Sequence, residues 1–199
     1  WRNRKITDNY PYLIIDARYE KIRTERGVVS QAVMIVVGVS DCGHRSVLSV
    51  EMGNSENESS WSDVFKKLKA RGLEGVKYVV SDDNKGLVAA LARNYQGVVW
   101  QRCQVHFIRN FMTKLSRRDF NLYVPLLKDI FAASDYQEAL RRKHLLIDRL
   151  EEKYQPVADW IDENIDVRFP DGAEDETYML LDTPYRTANL PLADVSELR

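Results

Sequence analysis

The chain has 199 residues, of which 44% are hydrophobic and 30% are charged, so it can bury one substantial core and a smaller lobe. Its net charge of −1 and its pI near 6.4 do not indicate a nucleic-acid partner, because DNA-binding domains usually carry a basic excess. No apolar run approaches the roughly 20 residues that cross a bilayer. Only two cysteines occur, and the Met-less start lacks a signal-peptide pattern, which predicts an intracellular piece of a longer protein.

The first half of the chain predicts three strands and then alternating helices and strands. YLIIDARY (12–19) and VVSQAVMIVVGVS (28–40) are rich in strand-forming residues, and RSVLSVEMG (45–53) follows the turn DCGH. An apolar face then recurs at helical spacing from Trp61 to Leu68, after Ser55 and Glu58, whose spacing fits a capping box. The order β-β-β-α-β-α-β-α predicts an α/β protein with an RNase H-like fold, a mixed five-stranded sheet flanked by helices.

From about residue 118 the pattern is helical, and no further strand is predicted. Tyr136, Leu140, Ile147 and Tyr154 fall roughly on one helical stripe, which predicts a packing face. Pro125 and Pro156 are expected to mark helix starts or breaks.

Two of the predicted strands contain or end in an aspartate, a residue that is uncommon in buried strands. Asp16 interrupts the first strand and Asp82 ends the fourth, and these strands are neighbours in the predicted sheet. Ionised carboxylates at one site repel each other unless they share a proton or a cation, and hard oxygen ligands suit Mg²⁺ or Mn²⁺. Each Asp alone could instead cap a turn or helix, as expected for Asp83 before the helix near Lys85. The pair together predicts a catalytic metal site.

Five segments then carry a resemblance to a known family: YPYLIIDARYEKIR, AVMIVVGVS, the stretch from SENESSW to RGLEGV, VVSDDNKGL and WQRCQVHFIRN. In this order and spacing they resemble the Mutator-type transposases of bacterial insertion sequences, which are DDE recombinases, over about residues 1 to 115. The resemblance implies that Asp16 and Asp82 are the first two metal-binding aspartates. It also implies an RNase H-like catalytic core over 1–117, a helical insertion over 118–180 and an incomplete C-terminal return segment over 181–199.

The third acidic residue of that family lies in a motif of the form T-x-N-x-x-E-R. Here RTANLPLADVSELR keeps Thr187 and Asn189, but the Glu position holds Leu192, which cannot bind a metal. Asp194 or Glu197 could substitute, and Glu197 is taken as the candidate third catalytic acid. The alternative is a catalytically inactive remnant that binds DNA or oligomerises.

The resemblance implies metal-dependent strand cleavage and strand transfer at insertion-element ends, with Mg²⁺ or Mn²⁺ as cofactor. The implied partners are DNA, both terminal inverted repeats and target DNA, and a second copy in a homodimer. A cytoplasmic, nucleoid-associated bacterial protein follows from the same resemblance. A nuclease that acts on RNA–DNA hybrids is a third alternative.

Five basic residues after the fifth strand are candidates for phosphate contacts beside the site: Arg102, Arg109, Lys114, Arg117 and Arg118. A solvated helix face explains them equally well. Cys103 and His106 supply only two of the four ligands of a structural zinc site, and Cys42 with His44 is a weak second pair, so packing is the favoured role.

Overall fold

The computed structural model describes residues 2–24 and 27–165, which form two compact units that divide after Cys103. The first unit contains the whole sheet. Its elements in chain order are β1 (Tyr12–Thr24), β2 (Gly27–Val39), β3 (Arg45–Gly53), α1 (Glu58–Ala70), β4 (Tyr78–Ser81), α2 (Lys85–Asn94) and β5 (Val99–Arg102). This is the predicted order of elements, because period-two and helical patterns alternate clearly along this part of the chain.

The sheet is mixed and five-stranded, with the order β3-β2-β1-β4-β5. β2 pairs antiparallel with both β1 and β3, whereas β4 pairs parallel with β1 and with β5. The predicted α/β class and mixed five-stranded sheet are therefore confirmed. β1 is the central strand: β2 pairs along its whole length, and β4 pairs with it at Tyr12, Leu13 and Ile14.

One face of the sheet packs against α1 and α2, since alternate residues of the strands point into a shared core. Leu13, Ile15 and Val79 are buried on this face, and Trp61 and Phe65 of α1 stack over it with ring centroids 6.0 Å apart. The intervening residues of β1 lie on the other face and are half-buried or exposed. The acidic residues of β1 therefore lie on the face opposite α1 and α2, where water can reach them.

Two predicted helix caps were wrong by one or two residues. Asn57, and not Ser55, caps α1, with its side chain accepting from Ser60 N while Ser60 Oγ accepts from Asn57 N. Asn84, and not Asp83, caps α2. In both places several consecutive polar residues can cap a helix, so local pattern alone does not choose among them.

The second unit is helical over its described residues. It consists of α3 (Gln104–Thr113), a 3-10 turn (Arg117–Asp119), α4 (Phe120–Phe131) and α5 (Tyr136–Asn164). Pro125 lies inside α4, whereas Pro156 follows a non-helical Tyr154 that kinks α5. Both prolines lack the N–H that continues a helix. Only Pro156 lies next to a break, since Tyr154 is non-helical two residues before it.

The core-facing side of α5 differs from the predicted stripe. Tyr136, Leu140, Ile147 and Tyr154 are only half-buried. The buried positions are Ala139, Lys143, Leu146, Leu150, Val157, Ala158 and Ile161. The buried Lys143 is paired, since its Nζ lies 2.8 Å from Asp162 Oδ1, and single-sequence periodicity cannot reveal such a pairing.

Among residues 2–24 and 27–165, no helix combines the length and apolar character needed to cross a membrane.

Candidate active site

The parallel pairing of β1 with β4 ends two residues before each of the two predicted aspartates. Its register matches Tyr12 with Tyr78 and Ile14 with Val80. Continued by two residues, this register sets Asp16 beside Asp82, just where β4 ends. Asp16 is exposed within β1, and Asp82 is half-buried just after the end of β4, so water can reach both side chains.

A set of hydrogen bonds around Ser81 fixes the backbone that carries Asp82. Trp100 Nε1 donates to Ser81 Oγ, and Ser81 Oγ donates to the Asp82 carbonyl, both at 2.8 Å. Cys103 N donates to the Ser81 carbonyl at 2.6 Å. Because Ser81 is 1% exposed, these bonds are shielded from water and hold the strand end firmly.

The Asp82 side chain also participates in the turn that starts α2. Its Oδ1 accepts from Asn84 N at 3.3 Å, and Asn84 Oδ1 in turn accepts from Leu87 N at 3.0 Å. On β1, Asp16 Oδ1 accepts from Ala17 N at 2.9 Å. Each carboxylate is thus oriented by at least one backbone N–H group.

A third acidic residue, missed by the sequence reasoning, is electrostatically coupled to this pair. Burial raises the pKa of Glu56, and the charge of Asp82 and, more weakly, that of Asp16 raise it further. Trp61 acts in the opposite direction. Glu56 lies in SENE, where the sequence predicts helix capping by Ser55 and Glu58, and nothing in its local pattern distinguishes it from Glu58. Its position depends on tertiary packing.

Arg102 ends β5 and is 17% exposed, with its Nη1 3.4 Å from Asp83 Oδ2. Asp83 is therefore an ion-pair partner of Arg102 and does not cap a helix. The other four basic candidates, Arg109, Lys114, Arg117 and Arg118, belong to the second unit and are exposed there. Lys114 Nζ lies over the Trp160 ring, 4.9 Å from its centroid.

The described ranges 2–24 and 27–165 contain no group of three or more His, Cys, Asp or Glu side chains close enough to hold a metal ion. The structure therefore does not join Cys103 and His106 to the further ligands that a zinc site needs. Leu192, Asp194 and Glu197 lie outside the described residues. The paired carboxylates Asp16 and Asp82 remain the best candidate metal ligands by chemistry, since hard oxygen donors suit small divalent cations.

The mixed five-stranded sheet with its flanking helices defines an α/β protein. A family model described as "Transposase, Mutator family" matches residues 1–173. The chain therefore belongs to the Mutator family of transposases, as its motifs predicted.

Three curated relatives are transposases for insertion sequence elements. That of ISRM5 from Rhizobium meliloti (strain 1021) is 40% identical over 163 residues, covering 82% of this chain and 41% of that protein. That of IS256 in transposon Tn4001 from Staphylococcus aureus is 38% identical, covering 74% of this chain and 38% of that protein. That of IS1081 from Mycobacterium tuberculosis (strain ATCC 25618 / H37Rv) is 32% identical, covering 77% and 37%.

The chain spans about two fifths of the length of these relatives. Since they are named as transposases, the alternative of an inactive remnant is not favoured. A chain in the cryo-EM structure of a simian T-cell lymphotropic virus intasome with PP2A regulatory subunit B56 gamma is 11% identical, covering 70% of this chain and 48% of its own length. Its TM-score of 0.34 is too low to support an argument.

Proposed function

We propose that the chain is the catalytic core of a DNA transposase of the DDE type, built on an RNase H-like fold. The single observation that carries the proposal is the parallel pairing of β1 with β4, whose register, if continued by two residues, matches Asp16 with Asp82. The sheet order, with β1 central and β2 antiparallel to its neighbours, supports the fold assignment. The reaction is cleavage at the ends of an insertion element and transfer of the freed strand to target DNA.

The donor set fits a small divalent cation, Mg²⁺ or Mn²⁺. Asp16 and Asp82 offer carboxylate oxygens that water can reach, and each is oriented by a backbone N–H. When bound, such an ion supplies Lewis-acid activation of a phosphodiester and of the attacking hydroxyl. The chain's own contribution is to hold two negative charges at a fixed separation on a rigid sheet, so that little reorganisation is needed when substrate binds.

The remaining parts of the site are proposed from the family pattern. Glu197 is the candidate third catalytic acid, in the return segment 181–199 that follows a helical insertion over 118–180. Arg109, Lys114, Arg117 and Arg118 are candidate phosphate ligands, since exposed cations close together in the chain suit a nucleic-acid backbone. Arg102 is a weaker candidate because Asp83 already neutralises it. DNA is the proposed partner, with a homodimer as the working assembly at the bacterial nucleoid.

Mn²⁺-dependent nicking of supercoiled DNA tests the proposal. We expect Asp16→Asn and Asp82→Asn each to abolish nicking without loss of the folded far-UV circular dichroism spectrum. Asp63→Asn is the matched control, because Asp63 is an exposed residue of α1 whose Oδ1 lies 3.7 Å from Lys66 Nζ. Nicking retained in both site variants would refute the assignment.

The same assay addresses the third acid. Activity that appears only in Leu192→Glu would mean that this chain has lost the family's Glu. Activity in the unaltered chain that Glu197→Gln abolishes would assign the role to Glu197. If the unaltered chain cleaves only RNA–DNA hybrids, the nuclease alternative replaces the transposase proposal.

A further inference from the structure

Two neighbouring segments hold the backbone at Glu56 beside the paired aspartates. Glu56 N donates to the hydroxyl of Tyr19, a β1 residue three positions beyond Asp16. On the other side, Gly86 in the first turn of α2 lies against the next residue of the loop. A Cβ added at Gly86 would lie 2.9 Å from the Asn57 Cα and carbonyl carbon. Glu56 is therefore clamped between the strand that carries Asp16 and the helix that follows Asp82.

The Glu56 side chain is placed in an electrostatically unfavourable position. Its Oε1 is buried and has no hydrogen-bond partner among the described residues, and the same is true of Nε1 of Trp61. The Trp61 indole is near enough to favour the charged carboxylate, but the two atoms do not reach hydrogen-bond geometry. A buried carboxylate oxygen without a donor, beside two further acidic side chains, costs free energy unless positive charge or bound water offsets it.

We propose that Glu56 is the third carboxylate of the divalent-cation site and acts from the outer coordination sphere, accepting a hydrogen bond from a water molecule on the ion. The inference rests on the proposed function, since it requires Asp16 and Asp82 to hold that ion. An outer-sphere role agrees with the absence of any three ligating side chains within direct reach of one ion in the described ranges. Mg²⁺ usually keeps several of its waters when one or two carboxylates bind it.

Glu56 is thus a positioning residue that adds negative charge to the site and orients a metal-bound water. This contribution comes from the start of α1 and is independent of the return segment that holds Leu192. Outer-sphere partners of metal ligands typically change metal affinity by about 10–100-fold when removed. The same range is expected for Glu56.

The test measures Mn²⁺ binding and thermal stability of the full chain, with Mn²⁺ alone as the probe. We expect Glu56→Gln to weaken Mn²⁺ affinity by about 10–100-fold. In EDTA the same variant should have a higher Tm than the unaltered chain, because it removes a charge that Asp82 and Asp16 repel. Glu58→Gln is the matched control: Glu58 lies two residues further on and pairs with Arg93 at 3.2 Å, so Mn²⁺ affinity should not change.

Three outcomes separate the possible failures. If Glu56→Gln lowers the Tm in EDTA and leaves Mn²⁺ affinity unchanged, Glu56 has only a structural role and the inference is overturned. If Asp16→Asn also leaves Mn²⁺ affinity unchanged, the metal-site proposal itself is refuted. Should Glu56→Gln not fold, Glu56→Asp keeps the charge on a shorter side chain, and unaltered Mn²⁺ affinity together with a lowered Tm would again overturn the inference.

Discussion

The contact between α2 and the loop before α1 predicts an unusual effect for Gly86→Ala. In an exposed helix this change is stabilising by about 1 kcal/mol, because alanine is the better helix former. Here the new Cβ would meet three rigid backbone atoms, Cα and C of Asn57 and N of Glu58, each 2.9 Å away. Overpacking of this kind costs about 1–3 kcal/mol, and three backbone clashes at once justify the upper end. The net expectation is destabilisation by about 2 kcal/mol.

Thermal unfolding measures this change directly. For a chain of this size, about 2 kcal/mol corresponds to a Tm lower by roughly 4–8 °C. Ala89→Gly is the control, since Ala89 is exposed on the same helix and should cost only about 1 kcal/mol of helix propensity. A Tm that rises in Gly86→Ala would contradict the close packing of α2 on Asn57. It would also remove one of the two contacts that clamp Glu56.

Two further predictions concern protonation. A hydrogen bond with Ser40, the larger cause, and one with His44 lower the pKa of the exposed Cys42 thiol from 9.0 to about 7. Alkylation of Cys42 by iodoacetamide should therefore have its midpoint near pH 7. His44→Gln should move this midpoint upward, and an unchanged midpoint would contradict the hydrogen bond between Cys42 and His44. Hydrogen bonds from Arg141, the larger cause, and from a second arginine lower the pKa of Glu138 from 4.5 to about 2. Because the folded-state pKa lies below the unfolded one, this stabilisation is complete above about pH 4.5 and is lost as the pH falls towards 2. The Tm difference between the unaltered chain and Glu138→Gln should therefore shrink over that range, and a constant difference would argue against the ion pair.

The order of the strands and helices was predictable because the hydrophobic period changes cleanly between them. Asp16 was predictable for a related reason: a carboxylate within an apolar strand contradicts its surroundings, and such a conflict often marks a functional site. The fold order also predicted that the strands carrying Asp16 and preceding Asp82 are neighbours, which the β1–β4 pairing confirms; a shared site for the two residues stays a prediction. These predictions rest on local pattern combined with a few topological rules.

The parts that sequence could not provide depend on tertiary packing. Asp82, Asp83 and Asn84 are all able to cap a helix. In the structure Asn84 caps α2, and the Asp83 side chain instead forms an ion pair with Arg102 of β5. Glu56 and Glu58 look equivalent in the sequence, yet burial and then the charge of Asp82 raise the pKa of Glu56, whereas Glu58 forms an ion pair with Arg93. No periodicity distinguishes such residues, since their surroundings come from other elements.

Parallel pairing between β1 and β4 also determines when the acidic site can assemble during folding. β1, β2 and β3 pair in sequence order through short connections, so this meander can form from local contacts. β4 joins β1 only after the chain through α1 has closed a long loop, which carries a larger entropic cost. A nascent chain that ends before β4 therefore presents Asp16 without its neighbour. The proposed site would be completed only when the two halves of the sheet meet, so a divalent cation bound as proposed would favour the fully assembled sheet over partly folded forms.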